Sequence, residues 1–267
     1  MTKLLRLSNA VLGRVGLELR AAGRGGRKAD AALGEFYRPA GTCQVRELAT
    51  LYRLFLGERR EGLFVEVGAF DGISFSNSSC LADAGWHGVL IEPIPRFAQQ
   101  CRERYRGNDR IRIIEAAVGA GESQVEITVA GPFTSTNGNV VERYRSLEWS
   151  STALEGASVI TVPQRPLDGI LEEAGGGRAL DVLIVDVEGA EDAVFSGFSL
   201  ERWRPRMIIV ELSHTHPDLH AISAHDALLQ RSIASAGYAV VYKDSINTVL
   251  AREEEVGGSG GAEKRLS

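Results

Sequence analysis

The run FVEVGAFDGISFSNSSC, Phe64 to Cys80, opens as a buried strand, breaks into glycines and an aspartate, and then turns small and polar. A chain reads this way where a sheet hands over to a ligand-binding loop. The change recurs further on. "GVLIEP" ends at Glu92, "IRIIEAAVG" at Ala116-Ala117-Val118, "ALDVLIVDVEG" at Asp186-Val187-Glu188-Gly189, and "RMIIVEL" at Glu211 with His214 just beyond. An acid after one strand means little. Acids or backbone-exposing small residues after five strands mark a site.

Helical patterns fill the gaps. Apolar residues recur at helical spacing in residues 43–60, and Ser74–Ala84, Pro95–Arg106, "PLDGILEEAG", Ala190–Phe198 and Ala221–Ala236 read as further helices. "SQVEITVAG" and "SVITVPQ" read as strands, "YAVVYKD" and "NTVLARE" as a closing hairpin around "DSIN", and residues 131–157 as a polar loop region. Short Val/Ile-rich strands alternating with helices predict an α/β fold: a mostly parallel sheet covered on both faces, binding its ligand beyond the carboxyl ends of the strands. The expected divisions are a basic N-terminal segment and linker over 1–42, one domain over 43–253 and a flexible tail over 254–267.

Composition sets limits. The 267 residues are 44% hydrophobic and 24% charged, with a net charge of -5, which gives no reason to expect nucleic acid. No run approaches the length of a membrane span. Cys43, Cys80 and Cys101 form no CxxC pair, which suits a reducing, cytoplasmic setting. The first 60 residues hold 12 Lys/Arg against 5 Asp/Glu, so the remainder is acidic. Residues 1–20 lack the apolar core of a signal peptide. Their alternating leucines and arginines suit either an amphipathic helix resting at the inner face of a membrane or a helix packed on protein.

The glycine loop narrows the choice of nucleotide. A dinucleotide fingerprint, G-x-G-x-x-G, presses backbone against a pyrophosphate. Here the loop is Gly68-Ala69-Phe70-Asp71-Gly72, without the middle glycine and flanked by Glu66 and Asp71. Two carboxylates repel a pyrophosphate and suit a cationic ligand, such as the amino group and sulfonium of S-adenosylmethionine. Glu92, with Pro93 after it, lies where a carboxylate accepts from ribose hydroxyls. Ala117 and Val118 offer a small apolar surface for adenine. Ser76 and Asn77 reach the cofactor carboxylate or cap the helix behind them. The rival readings are an NAD-dependent oxidoreductase or epimerase, which would want that fingerprint and a Tyr-x-x-x-Lys pair, and a non-catalytic Rossmann-like scaffold.

"FVEVGAFDGISFSN", "GVLIEPIPRFAQQC", "EAAVG", "PLDGILEE", "DVLIVDVEGAEDAVFSGFSLERWRPRMIIVEL" and "GYAVVYKDSIN" occur in the order seen in FkbM-type methyltransferases, and residues 62–252 resemble that family. The resemblance is strongest over Asp181–Leu212, with its D-V-E-G-x-E motif. It implies a Rossmann-like class I methyltransferase with a seven-stranded sheet, and O-methylation of a hydroxyl on a sugar, glycan or secondary metabolite, as in polysaccharide biosynthesis. Phe70 stands where Asn is usual, and Ala190-Glu191-Asp192-Ala193 is more acidic than usual.

Methyl transfer to a hydroxyl needs alignment and a proton acceptor. Asp186, Glu188 and His214 are the candidates for acceptor contact and base, and Asp186 also faces the cofactor. Alternatively Asp186, Glu188, Glu211 and His214 hold a divalent cation, and their oxygen-rich set suits Mg or Mn. Glu191 reads as a catalytic acid or as a charge favourable at a helix start. His216 reads as a surface residue. Phe133, Tyr144 and Trp149 either stack on a sugar ring or pin their loop to the core.

Overall fold

The structure is a computed structural model and describes residues 36–130, 134–138, 141–142, 146, 156–212 and 224–258. Its strands are β1 (Leu63–Val67), β2 (His87–Ile91), β3 (Ile111–Ile114), β4 (Ala117–Val118), β5 (Ser123–Val129), β6 (Ser158–Arg165), β7 (Val182–Val185), β8 (Met207–Glu211), β9 (Tyr238–Lys243) and β10 (Asn247–Arg252). The described helices are α1 (Leu48–Leu56), α2 (Ser79–Asp83), α3 (Pro95–Arg104), α4 (Leu167–Ala174), α5 (Glu191–Ser196), α6 (Leu200–Trp203), α7 (Ala224–Ser235) and α8 (Glu253–Gly258).

Seven strands form the main sheet in the order β3-β2-β1-β7-β8-β10-β9. The first five run parallel, and β10 is antiparallel to both its neighbours. The chain winds outward from β1 through β2 to β3, then returns to place β7 on the other side of β1. The strand order reverses between β1 and β7, and a crevice opens there at the carboxyl ends. The strands flanking it are apolar until their last residues: β1 and β7 are buried throughout, and β8 is buried up to Glu211. A strand buried on both faces must read this way.

One face is covered by α1 and α2, which bring Leu48, Leu51, Tyr52, Phe55 and Leu81 onto Phe64, Ile184 and Ile209. Leu167, Ile170 and Leu171 of α4, with Leu229 and Ile233 of α7, cover the other face over Val65, Leu183 and Ile208. The hydrophobic spacing of α1 predicts this packing.

Four expectations differ from the structure. "IRIIEAAVG" is two strands: β3 stays in the main sheet, whereas Ala117–Val118 leaves it to pair with Gln164–Arg165 in a second sheet, β4-β6-β5. The helix expected over Ser74–Ala84 begins only at Ser79, because residues 76–78 are drawn onto the Glu66 carboxylate. The expected linker ends in core: Tyr37 is buried and its hydroxyl donates to the Gly57 carbonyl. The expected tail opens in α8, held by Arg206, whose Nε and Nη2 both donate to Glu255 at 2.8 Å. Residues 1–20, Phe133, Tyr144, Trp149, His214 and His216 lie outside the described residues. Among the described residues, no helix is long and apolar enough to cross a membrane.

Candidate active site

A cavity of about 420 Å³ opens at the switch point. β1 and the loop after it supply Glu66, Gly68, Ala69, Ser76 and Asn77, and the end of β2 supplies Glu92 and Pro93. The crossing into the second sheet supplies Ala117 and Val118, and the β7 and β8 ends supply Asp186, Glu188 and Glu211. These are twelve of the 26 residues that line the cavity.

Asp71 and Gly72, expected at the cofactor, do not line it. The Asp71 carboxylate is spent on its own turn, accepting from Ile73 N, Ser74 N and Ser74 Oγ at 2.7–3.0 Å. That is the ordinary behaviour of an Asp before glycine in a turn. Gly72 has φ +80° and packs on α3, where a β-carbon would lie 3.1 Å from the Tyr105 ring. Gly68 is different. Its φ is +87°, and a β-carbon there would lie 1.7 Å from the Asp186 carbonyl oxygen. Only glycine lets β1 and β7 close up at the crevice.

Glu66 is buried beneath this loop. It accepts from Ser76 Oγ at 3.0 and 3.1 Å, Ser78 Oγ at 2.7 Å and Asn77 N at 3.1 Å. Burial pushes its carboxyl up to about 7, while the two hydroxyls and the amide pull it back down. Glu92 is buried too and accepts from Phe70 N at 2.9 Å and Ile94 N at 2.8 Å, one on each oxygen. Burial raises it to about 7 against those two amides. A carboxylate offers about four acceptor sites, so about two remain for a ligand.

The D-V-E-G-x-E motif folds as a clamp. Glu188 and Gly189 both hold positive φ, 53° and 90°. Glu191 Oε1 accepts from Val187 N at 3.3 Å and Gly189 N at 3.1 Å, which ties the turn from inside. Ser135 Oγ and Asn137 Nδ2 hold the same turn from outside, donating to the carbonyls of Glu188 and Gly189 at 2.7 Å. Burial pushes Glu191 up to about 8. Its place is beneath the loop, not in the cavity wall.

The clamp brings Asp186 and Glu188 to Glu211. Oxygens of the three carboxylates lie within 4.8 Å of one another. Burial first, then the charges of Asp186 and Glu188, hold Glu211 well above the usual carboxylate range. Its Oε2 is buried and has no hydrogen-bond partner among the described residues. The far end of the cavity is apolar, where Phe97, Ala117 and Ile127 pack with Phe70.

Gln44, Phe75 and Ile246 are among the wall residues that sequence reading did not assign. Gln44 reaches the cavity from before α1 and donates to Asp186 Oδ2 at 2.9 Å. Phe75 lines the mouth, 45% exposed, with φ 63°. Ile246, from the β9–β10 turn, closes one side. Only Phe75 carried a signal, as an aromatic in a run of serines.

A doubly wound sheet in this order, with an antiparallel strand inserted before its edge and acids at the ends of β1, β2, β7 and β8, is the Rossmann-like fold of class I methyltransferases. Residues 66–240 match the model of the methyltransferase FkbM domain, well over half of the chain, and the protein belongs to that family. The match sets aside the nicotinamide reading. A curated relative, 2-O-methyltransferase NoeI of Sinorhizobium fredii (strain NBRC 101917 / NGR234), is 29% identical over 129 residues, 46% of this chain and 52% of NoeI. The matched part spans about half the length of that relative. Among solved structures, the O-methyltransferase from Bacillus cereus in complex with SAH aligns at 13% identity and a TM-score of 0.41, covering 93% of this chain and 96% of that one. Precorrin-6y C5,15-methyltransferase from Geobacter metallireducens GS-15 aligns at 11% identity and 0.37, covering 80% and 93%. The fold assignment stands on the sheet order and the family match.

Proposed function

We propose that this protein transfers a methyl group from S-adenosylmethionine to a hydroxyl of a sugar, glycan or secondary metabolite. One observation carries the reading: Glu66, Glu92, Asp186 and Glu211 converge on a single cavity around a loop whose glycine cannot be replaced. Carboxylates in such number, Glu66 and Glu92 buried and Asp186 and Glu211 half-buried, suit a ligand that brings positive charge.

The residues fit the cofactor part by part. Glu92 keeps acceptor capacity on both oxygens for two ribose hydroxyls. Phe97, Ala117, Val118 and Ile127 offer an apolar slot for the adenine. Glu66, behind Ser76 and Asn77, serves the amino-acid end. When bound, S-adenosylmethionine supplies an electrophilic methyl group on a sulfonium. The chain's own work is then to hold the acceptor in line, exclude water and take a proton. Asp186 and Glu188 take the acceptor's proton in this reading. Burial, then the charges of Asp186 and Glu188, hold Glu211 well above the usual carboxylate range beside them. The name of NoeI, a 2-O-methyltransferase, favours a hydroxyl as acceptor. The proposal extends to a cytoplasmic enzyme whose residues 1–20 contact an acidic membrane surface.

A divalent cation is the second reading of the acid cluster, favoured by the buried Oε2 of Glu211, which has no partner among the described residues. Asp186, Glu188 and Glu211 would hold Mg or Mn, which would lower the acceptor's pKa. Magnesium or manganese heats that vanish in Glu211→Gln would support the ion. Their absence in protein that binds S-adenosylhomocysteine would leave the cluster to the sulfonium.

The deciding experiment is calorimetric titration with S-adenosylhomocysteine, with NADH in parallel and Glu92→Ala as control. Binding of the first alone, weakened about tenfold or more in the control, supports the enzyme and justifies a screen of sugar acceptors. Folded protein that binds neither ligand overturns it in favour of the scaffold.

A further inference from the structure

The segment before α1 precedes the family-matched residues, yet it reaches the cavity. Tyr37 and Val45 are buried and pack it to the core. Asn77 then ties it to the glycine loop from both sides of Gln44. Asn77 Oδ1 accepts from Val45 N at 3.1 Å and lies 3.4 Å from Cys43 Sγ. The Gln44 side chain sits between these anchors. Its Oε1 accepts from Asn77 Nδ2 at 3.2 Å, and its Nε2 donates to Asp186 Oδ2 at 2.9 Å. A planar amide held at its oxygen has its NH2 group aimed. The reverse orientation would set the amide oxygen against a carboxylate. The Asn77 amide N–H closes the chain on Glu66 Oε1 at 3.1 Å.

We propose that Gln44 is a positioning residue of this site: anchored by Asn77, its amide holds Asp186 Oδ2 and fixes how that carboxylate faces the cavity. Packing alone does not call for this side chain, since Tyr37, Val45 and Leu48 already bury the segment. Asp186 otherwise faces two like groups, Glu188 and Glu211, and a carboxylate in that company turns or shares a proton unless a donor holds it. The acid that meets the cofactor's cation is therefore set by a residue outside the matched domain. The inference rests on the methyltransferase reading for its chemistry but not for its geometry.

The test uses Gln44→Met, which keeps length and loses both hydrogen bonds, and Gln44→Glu, which keeps the acceptor toward Asn77 and turns an acceptor toward Asp186. Ligand-free crystal structures give the first readout. Asp186 should turn or split into two conformers in both variants; an unchanged single conformer in both overturns the proposal. The second readout is the ratio of affinities for sinefungin, which carries an amine near the sulfonium position, and S-adenosylhomocysteine, which is neutral there. That ratio should fall about tenfold or more in Gln44→Met, with a melting temperature close to the parent's. An unchanged ratio, or loss of stability in Gln44→Met with Gln44→Glu behaving as the parent, means packing only and overturns the proposal. If the parent protein binds neither ligand, the methyltransferase reading fails, and the crystal readout alone decides for or against Gln44.

Discussion

Gly68 and Asp186 meet so closely that a β-carbon on the glycine would lie 1.7 Å from the aspartate's carbonyl oxygen. The obstacle is backbone of β7's continuation, not a flexible side chain, so it cannot step aside without opening the sheet. Gly68→Ala should cost at least ~3 kcal/mol, through the clash and the strained φ of +87° together. Gly72→Ala, at φ +80° but facing the Tyr105 ring and the Cys101 sulfur at 3.1 and 3.3 Å, should cost less. Urea unfolding midpoints of the two variants check the order. A Gly68→Ala protein as stable as the Gly72→Ala protein would refute it.

Glu191 should behave as a structural acid. Glu191→Ala takes the acceptor from the half-buried amides of Val187 and Gly189, worth about 1–3 kcal/mol of stability together. Glu191→Gln keeps an acceptor oxygen in the same place. The carboxyl is pushed up to about 8, so at pH 4.5 both native and unfolded chains hold most of that proton and the glutamine should nearly match the parent, whereas at neutral pH the glutamine should be the more stable. Thermal melts of the three proteins at pH 4.5 test this. Equal loss in both variants would mean that the charge, not the acceptor, matters there.

The sheet and the acids of the cavity wall were legible because β1, β7 and β8 are apolar runs ending abruptly in acids. That contrast is local and survives in one dimension. Gln44 was not legible, because its partner Asp186 is 142 residues away and nothing in CQV signals a reach across the sheet. Glu191 was ambiguous, because an acid at a helix start looks the same whether it faces the dipole or the turn behind it. The charge of Asp71 beside the glycine loop suggests a contact with a cationic cofactor, whereas its own turn satisfies it first. The move of Ala117–Val118 into a second sheet was hidden, because "IRIIEAAVG" has the composition of one strand and only pairing with Gln164 and Arg165 divides it.

The Arg206–Glu255 fork makes α8 part of the domain. Arg206 and Arg252 lower the Glu255 carboxyl below its usual range. A depressed acid stabilises the fold above its unfolded pKa and stops doing so as pH falls through the folded value. Glu255→Ala should therefore lose about 0.5–1 kcal/mol near neutral pH, discounted for partial exposure, and nothing at pH values below the depressed pKa. Urea titrations at neutral and acid pH measure the difference. A loss of equal size at both would assign the effect to helix packing instead.

Glu211 sets stability against binding. Its carboxyl is raised well above the usual range by burial and by Asp186 and Glu188. The folded protein then keeps a proton that the unfolded chain releases above the ordinary glutamate pKa, so stability falls as pH rises from there. Glu66 and Glu92, both raised to about 7, add to the same fall up to that pH. Glu211→Gln removes one member of the set. At pH 5 it should melt with the parent, and at pH 8 it should be more stable by about 1–3 kcal/mol, roughly 2–10 °C for a domain of this size. The same variant should bind sinefungin, manganese or both more weakly, because the cluster has lost the acid that a cation would ionise. A variant that gains no stability at pH 8 would show that Glu211 is already compensated in the ligand-free protein, and the case for a cationic occupant of the cluster would go with it.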